Sequence, residues 1–167
     1  ARQNAAADTV NQMVYLVPNE NKRAAIISIL QNRMKSGLSQ QCIIFTNSRM
    51  GCARLANALE RDGIKAAAIH GDKSQTERMA TLEGFKNGTI DALVATDVAA
   101  RGLDIPDMPC VINHELPFNA EDFIHRIGRT GRAGSKGDAI ALVDESEKRL
   151  LDDIEKLMKR KLPIGSL

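Results

Sequence analysis

Five short apolar runs punctuate the chain, at 41–45, 65–69, 91–95, 110–113 and 138–143. Each is continuous in its apolar character, not alternating, which is the pattern of a strand buried on both faces. Residues 9–17 alternate loosely and read as a further strand or strand-like lead-in. Between the runs lie segments whose apolar residues recur every three or four positions, the spacing of a one-sided helix. The first such helix spans 19–35, with Ala25, Ile26, Ile29, Leu30 and Met34 on one face, Asn19 placed to cap it and Gly37 to end it. The second runs from Ser48 to Gly63, and the third opens on Ser74 and Glu77, spaced as a capping box, and closes near Asn87 and Gly88. A fourth is capped by Asn119. The last starts at Asp144 and Glu147 and continues to about 161, with Leu150, Leu151, Ile154, Leu157 and Met158 on one face. Asp152 with Lys156, and Glu155 with Lys159, are spaced as i,i+4 pairs on its other face.

Short buried strands alternating with helices predict an α/β fold with a mostly parallel central sheet and helices on both faces. The 167 residues fit one domain. Its expected bounds are 9–161, with 1–8 a flexible lead-in and 162–167 the start of a C-terminal tail. Parallel sheets of this kind take ligands outside the carboxyl ends of their strands. The residues expected there are Thr46 to Arg49 after the first run, then His70, Gly71 and Asp72 after the second, and 96–104 after the third. Small, hydroxyl, glycine and arginine residues gather where the topology would place a site.

Composition changes this picture little: hydrophobic content of 43% and charged content of 26% are ordinary, and a net charge of +2 does not announce nucleic acid. The local charge does. At 125–134 the chain reads HRIGRTGRAG, placing Arg126, Arg129 and Arg132 three residues apart, and no Asp or Glu lies between Phe123 and Gly137. Guanidinium groups stay charged and fit phosphate oxygens in pairs. A solvated basic loop is the plainer reading, but the interleaved glycines let a backbone approach a ligand closely and favour a phosphate site. Thr46 and Arg49 stand at one helix start, and Gln75 and Arg78 at another, where free N–H groups also suit phosphates. The alternative there is that Ser48 and Ser74 only cap.

Asp97 and Asp104 flank Arg101, a spacing open to a structural ion-pair network or to a ribose contact by Asp104. Acid–base catalysis by this pair is disfavoured, because neighbouring arginines hold both carboxylates ionised. The three cysteines are odd in number, lack metal spacing and read as reduced and structural, which suits the cytoplasm. His70, His114 and His125 show no metal spacing either. No apolar run approaches a membrane span. The chain also lacks a Gly-x-x-x-x-Gly-Lys-[Ser/Thr] phosphate loop, so its residues describe half of a phosphoryl-transfer site.

Taken together, CIIFTNSR at 42–49, AAIHG at 67–71, QTER at 75–78, ATDVAARGLD at 95–104 and HRIGRTGRAG at 125–134 resemble, in order and spacing, motifs of the C-terminal RecA-like domain of DEAD-box RNA helicases. The resemblance extends from about residue 8 to 160. AAIHG, together with LLDDIEK at 150–156, is most similar to the bacterial RhlE type. It implies a three-layer RecA-like fold and an ATP-dependent RNA helicase whose N-terminal RecA-like domain carries the phosphate loop. Arg129 and Arg132 would be arginine fingers on the γ-phosphate of ATP, and Asp104 would bind the ribose. His125, Arg126, Asp97 and Arg101 would couple that site to the other domain. Thr46, Arg49, Gly71, Gln75, Arg78 and Thr96 would hold or border the RNA backbone. Mg²⁺ would accompany ATP at the shared site. Aromatic content of 3% agrees with backbone-directed, sequence-independent binding. Two other readings stay open: a stand-alone RNA-binding or docking module, and half of a DNA-directed helicase, which His125 disfavours.

Overall fold

The computed structural model describes residues 10–103, 105–131 and 136–167. Seven parallel strands form one sheet: β1 (Val10–Leu16), β2 (Cys42–Phe45), β3 (Ala66–Ile69), β4 (Ala92–Ala95), β5 (Cys110–Asn113), β6 (Gly137–Val143) and β7 (Ile164–Gly165). Their order across the sheet is β3-β4-β2-β5-β6-β1-β7. The expected α/β class is therefore the observed one. β2 and β4 have every residue buried, as their unbroken apolar runs predict. One face is covered by α1 (Lys22–Lys35) and α2 (Arg49–Arg61). The other carries α3 (Gln75–Lys86) and the five-residue α4 (Asp97–Arg101) on one side. Beside them lie α5 (Ala120–Ile127) and α6 (Lys148–Met158).

Most punctuation falls where the sequence puts it. Ser48 accepts from the Gly51 amide, Asn119 from the Glu121 amide, and Ser74 and Glu77 close the capping box. Gly37 sits at φ +77°, and the Leu38 amide reaches back to the Arg33 carbonyl, so the helix ends in a turn that disfavours a side chain.

Three expectations are corrected. Asn19 does not cap α1; it begins a 3-10 turn, Asn19–Asn21, and its amide donates to Asp144 Oδ1 at 2.9 Å. The last helix stops at Met158, because Lys159 turns left-handed at φ 58°. Glu155 then accepts from the Leu162 amide and from Lys161 in place of the expected partner Lys159. Residues 162–167 are no simple tail: Leu162 is buried, and Ile164–Gly165 pairs with β1 as the seventh strand. Two residues with one apolar member give no periodicity, so that strand has no signature in the sequence.

The junction of α1 and α6 is held by charge. Lys22, only 1% exposed, bonds Glu147, whose other oxygen accepts from the Leu116 amide at 2.7 Å. Beside it Asp144 accepts from Asn19 and from both the amide and hydroxyl of Ser146. Those bonds, the Ser146 hydroxyl's foremost, hold the Asp144 carboxyl at about 2, below its ordinary 3.8. Its stabilising effect is therefore complete above pH 3.8 and is lost as pH falls through 2. Thermal melting of the chain should thus fall more steeply between these values than that of Asp144→Asn, and the two curves should run parallel at higher pH. Parallel curves throughout would remove this role.

Among the described residues, no helix is long and apolar enough to cross a membrane. Cys42, Cys52 and Cys110 are buried free thiols.

Candidate functional site

The sheet register fixes the site. Ile69, Ala95, Phe45, Asn113 and Ala141 are level across five adjacent strands, so Thr46, His70, Thr96 and His114 form the next row at the carboxyl rim. Three of these, Thr46, His70 and Thr96, face inward. The Thr46 hydroxyl donates to the Ser48 carbonyl, and Thr96 caps α4 by accepting from the Ala99 amide. With Thr46 fully buried and Thr96 8% exposed, neither hydroxyl points to solvent; both shape turns.

Arg126 dominates the rim, and not as a surface cation. Its side chain has no exposure. Nε and Nη2 make a two-pronged pair with Asp97, both at 2.7 Å. Nη1 donates to Asn113 Oδ1 at 2.9 Å and the Glu115 carbonyl at 2.7 Å, and Nη2 also reaches Asn47 Oδ1 at 2.8 Å. All five N–H donors are thereby used, and the guanidinium lies 5.1 Å over the Phe45 ring. A buried charge is tolerable only under such complete satisfaction. The even spacing of the arginines thus does not yield a row of three: Arg126 has no donor left for a phosphate.

Its helix explains the burial. Phe123, Ile124 and Ile127 anchor α5 on the sheet, each contributing on the order of 2 kcal/mol by burial. Arg126 stands three residues after Phe123, at the flank of that stripe, while His125 between them is exposed. A second tie, Arg101 Nη2 to Asp122 Oδ1 at 3.2 Å, joins α4 to the first turn of α5.

Arg129 follows α5 and is half-buried, with Nη2 donating to the Ala100 carbonyl at 3.2 Å. Its backbone is pinned by the residue two positions before β5: the Met108 amide donates to the Arg129 carbonyl at 2.8 Å, and the Thr130 hydroxyl donates to the Met108 carbonyl. Gly137 closes over this corner. A Cβ there would lie 1.9 Å from Thr130 Oγ1 and 2.7 Å from the Gly131 amide, so the close approach needs glycine. Arg129, Arg101, His125, Asp97 and Ala100 border a notch of about 10 Å³, room for roughly one water. Arg132 and Asp104 lie outside the described residues.

The remaining expected residues gather at the neighbouring part of the rim. Arg49 is exposed, bonds Asp72 Oδ1 at 2.7 Å, and lies with its Cδ 3.5 Å from where a Gly71 Cβ would be. Gln75 is exposed on the first turn of α3, and half-buried Arg78 follows with its Nε lacking a partner. His70 turns inward and accepts from the Asp72 amide. Sequence reasoning missed Asn47, Asn113, Phe45 and Lys22. The helical phase of Arg126 beside Phe123 and Ile127 was the available signal that it needed buried acceptors. Among the described residues, no three His, Cys, Asp or Glu side chains are placed to hold a metal ion.

Comparison with known proteins agrees with this geometry. The pattern described as helicase conserved C-terminal domain matches residues 21–134. The ATP-dependent RNA helicase Dbp2 of Debaryomyces hansenii is 43% identical over 155 residues, covering 93% of this chain and 29% of that protein. Among solved structures, the E. coli DEAD-box protein SrmB, bound to regulator of ribonuclease activity A, superposes with a TM-score of 0.85 at 32% identity, covering 94% of this chain and 90% of that one. S. cerevisiae Dbp5, bound to RNA and ADP BeF3, gives 0.81 at 30% identity over 96% of this chain and 42% of that one. The chain spans about a quarter to a third of the length of the curated relatives it matches. With the sheet order, the motif positions and this breadth of identity in agreement, the chain belongs to the helicase conserved C-terminal domain family, in its DEAD-box branch.

Proposed function

We propose that this domain is the second lobe of an ATP-dependent RNA helicase. It presents Arg129, with Arg132, to the γ-phosphate of an ATP held chiefly by an N-terminal RecA-like lobe. The observation that carries the reading is a half-buried arginine, its backbone held by Met108 and its guanidinium by the Ala100 carbonyl, beside a 10 Å³ notch: the cation is positioned, but the space cannot enclose a nucleotide. A site of that kind functions when a second body closes on it. Arg129 would stabilise charge on the transferring phosphoryl group, the Asp104 carboxylate would receive the ribose hydroxyls, and His125 and Arg101 would meet the other lobe across the notch. Arg126 would act through Asp97, holding α4 in place. Mg²⁺ would neutralise phosphate charge and would be bound by carboxylates of the other lobe.

Arg49, Gly71 and Gln75 form one exposed run, with half-buried Arg78 beside it, suited to a sugar-phosphate backbone, and the two threonines shape the turns beneath it. Dbp5 as solved with RNA and a nucleotide analogue supports this reading by similarity. The RhlE-type subgroup draws no support from the Dbp2- and SrmB-like relatives, so function is taken at the level of the DEAD-box family. Buried free thiols fit a reducing compartment, and the cytoplasm is the proposed location.

The test compares this chain alone with the same domain joined to its N-terminal lobe. Alone it should show no ATP turnover above background, and only weak binding to single-stranded RNA that falls steeply with salt. Joined, turnover should rise on adding RNA, and DNA of the same length should not substitute. ATP splitting by the isolated chain at a comparable rate would overturn the half-site. Tight, salt-insensitive RNA binding by the isolated chain would favour a stand-alone module instead.

A further inference from the structure

We infer that Asn47 is a positioning residue that links the exposed run at the rim to the Arg129 notch, through Arg126. This rests on the helicase reading above. Asn47 lies in the turn between Thr46 and Ser48, directly before Arg49, yet its side chain points toward the guanidinium core. Its Oδ1 accepts from Arg126 Nη2 at 2.8 Å, its Nδ2 donates to the Leu116 carbonyl at 2.9 Å, and its backbone amide donates to Glu115 Oε1 at 3.0 Å. The amide is satisfied at both ends in a single orientation, oxygen to arginine and nitrogen to carbonyl. Few side chains can do both at once.

Of the groups that accept from Arg126, Asn47 alone belongs to the turn that leads into Arg49. Asn113 and Glu115 sit at the end of β5 and just beyond it, and Asp97 opens α4. The chain of direct bonds therefore runs from the 46–49 turn through Asn47 to Arg126, then to Asp97 and α4. The Ala100 carbonyl of α4 receives Arg129. A ligand that draws the 46–49 turn toward itself must move Asn47, and Arg126 cannot follow freely because its other four bonds fix it. Contacts of this kind, directional and buried, have discrete arrangements and can carry coupling between two sites.

The experiment uses the full-length helicase carrying this domain, and measures the affinity for a single-stranded RNA oligomer with and without ADP–beryllium fluoride. The ratio of the two affinities is the coupling. Asn47→Ser shortens the side chain out of reach of Arg126, and because Asn47 is only half-buried a water can take the freed N–H. This variant should fold, keep its nucleotide-free RNA affinity, and lower the ratio about 2- to 30-fold. Asn47→Asp keeps the oxygen that faces Arg126 but sets its second oxygen against the Leu116 carbonyl, so it should retain the ratio only in part. An unchanged ratio in Asn47→Ser would overturn the link. A wild-type enzyme whose RNA affinity ignores the nucleotide would overturn the helicase reading along with it, whereas a coupled wild type with an insensitive Asn47→Ser would overturn this inference alone.

Discussion

Replacing Arg126 by methionine should cost the domain about 3 kcal/mol of stability, which is roughly 6–12 °C in melting midpoint for a chain of this size. Methionine fills much of the same apolar channel over Phe45, so the loss is electrostatic in origin and leaves little cavity. What remains is Asp97 without its two-pronged partner, together with the oxygens of Asn113, Asn47 and Glu115, each having lost a donor. Asp97 keeps 21% of its side chain exposed, so water recovers part of its solvation and the cost stays at the lower end for a broken buried pair. Lysine should recover only a fraction, since an ammonium has three donors in place of five and cannot grip Asp97 with a fork. Urea unfolding of the chain checks this, and a loss below about 1 kcal/mol would show that the network contributes little to holding the rim together.

The arginine spacing illustrates what a sequence can and cannot convey. In HRIGRTGRAG the described part, 125–131, brings cations and close backbone contacts together, and Gly131, at φ +69°, turns left-handed. The uniform three-residue interval, though, carries no sign of how differently Arg126 and Arg129 are set. The two differ because α5 ends at Ile127. Arg126 is still on the helix and shares its buried flank, while Arg129 comes after the helix has ended and takes its direction from Met108 and Gly137. Those two residues lie 21 positions before and 8 after Arg129 in sequence. No local pattern announces them.

The strands were legible for the opposite reason. A fully buried parallel strand needs apolar residues on both faces, so β2, β4, β5 and β6 announce themselves as unbroken runs. β7 pairs through two residues only and takes its place from the turn at Lys159 and the burial of Leu162. Threonines 46 and 96 were legible as rim residues but not as inward-facing ones. A hydroxyl next to a helix start serves as a cap as readily as a ligand contact, and only the register of the neighbouring strands decides between them.

Arg129→Ala should have the larger effect on activity, and little on stability. In the full-length enzyme, RNA-stimulated ATP turnover should fall on the order of 10³-fold, the lower end of what an arginine finger supplies. The KM for ATP should move far less, because charge develops on the phosphoryl group chiefly in the transition state, and a group that acts there lowers kcat. The melting midpoint of the isolated chain should shift by no more than a few degrees, since Arg129 is half-buried and the Met108 pin is made by its backbone, which alanine keeps. Arg126→Met and Arg129→Ala, three residues apart, thus exchange their readouts: the first is read in unfolding, the second in turnover. Near-normal turnover in Arg129→Ala would remove the finger from this position. A variant that lost turnover and stability together would show that Arg129, like Arg126, serves the packing of α4 on α5 and that the γ-phosphate is met by another cation.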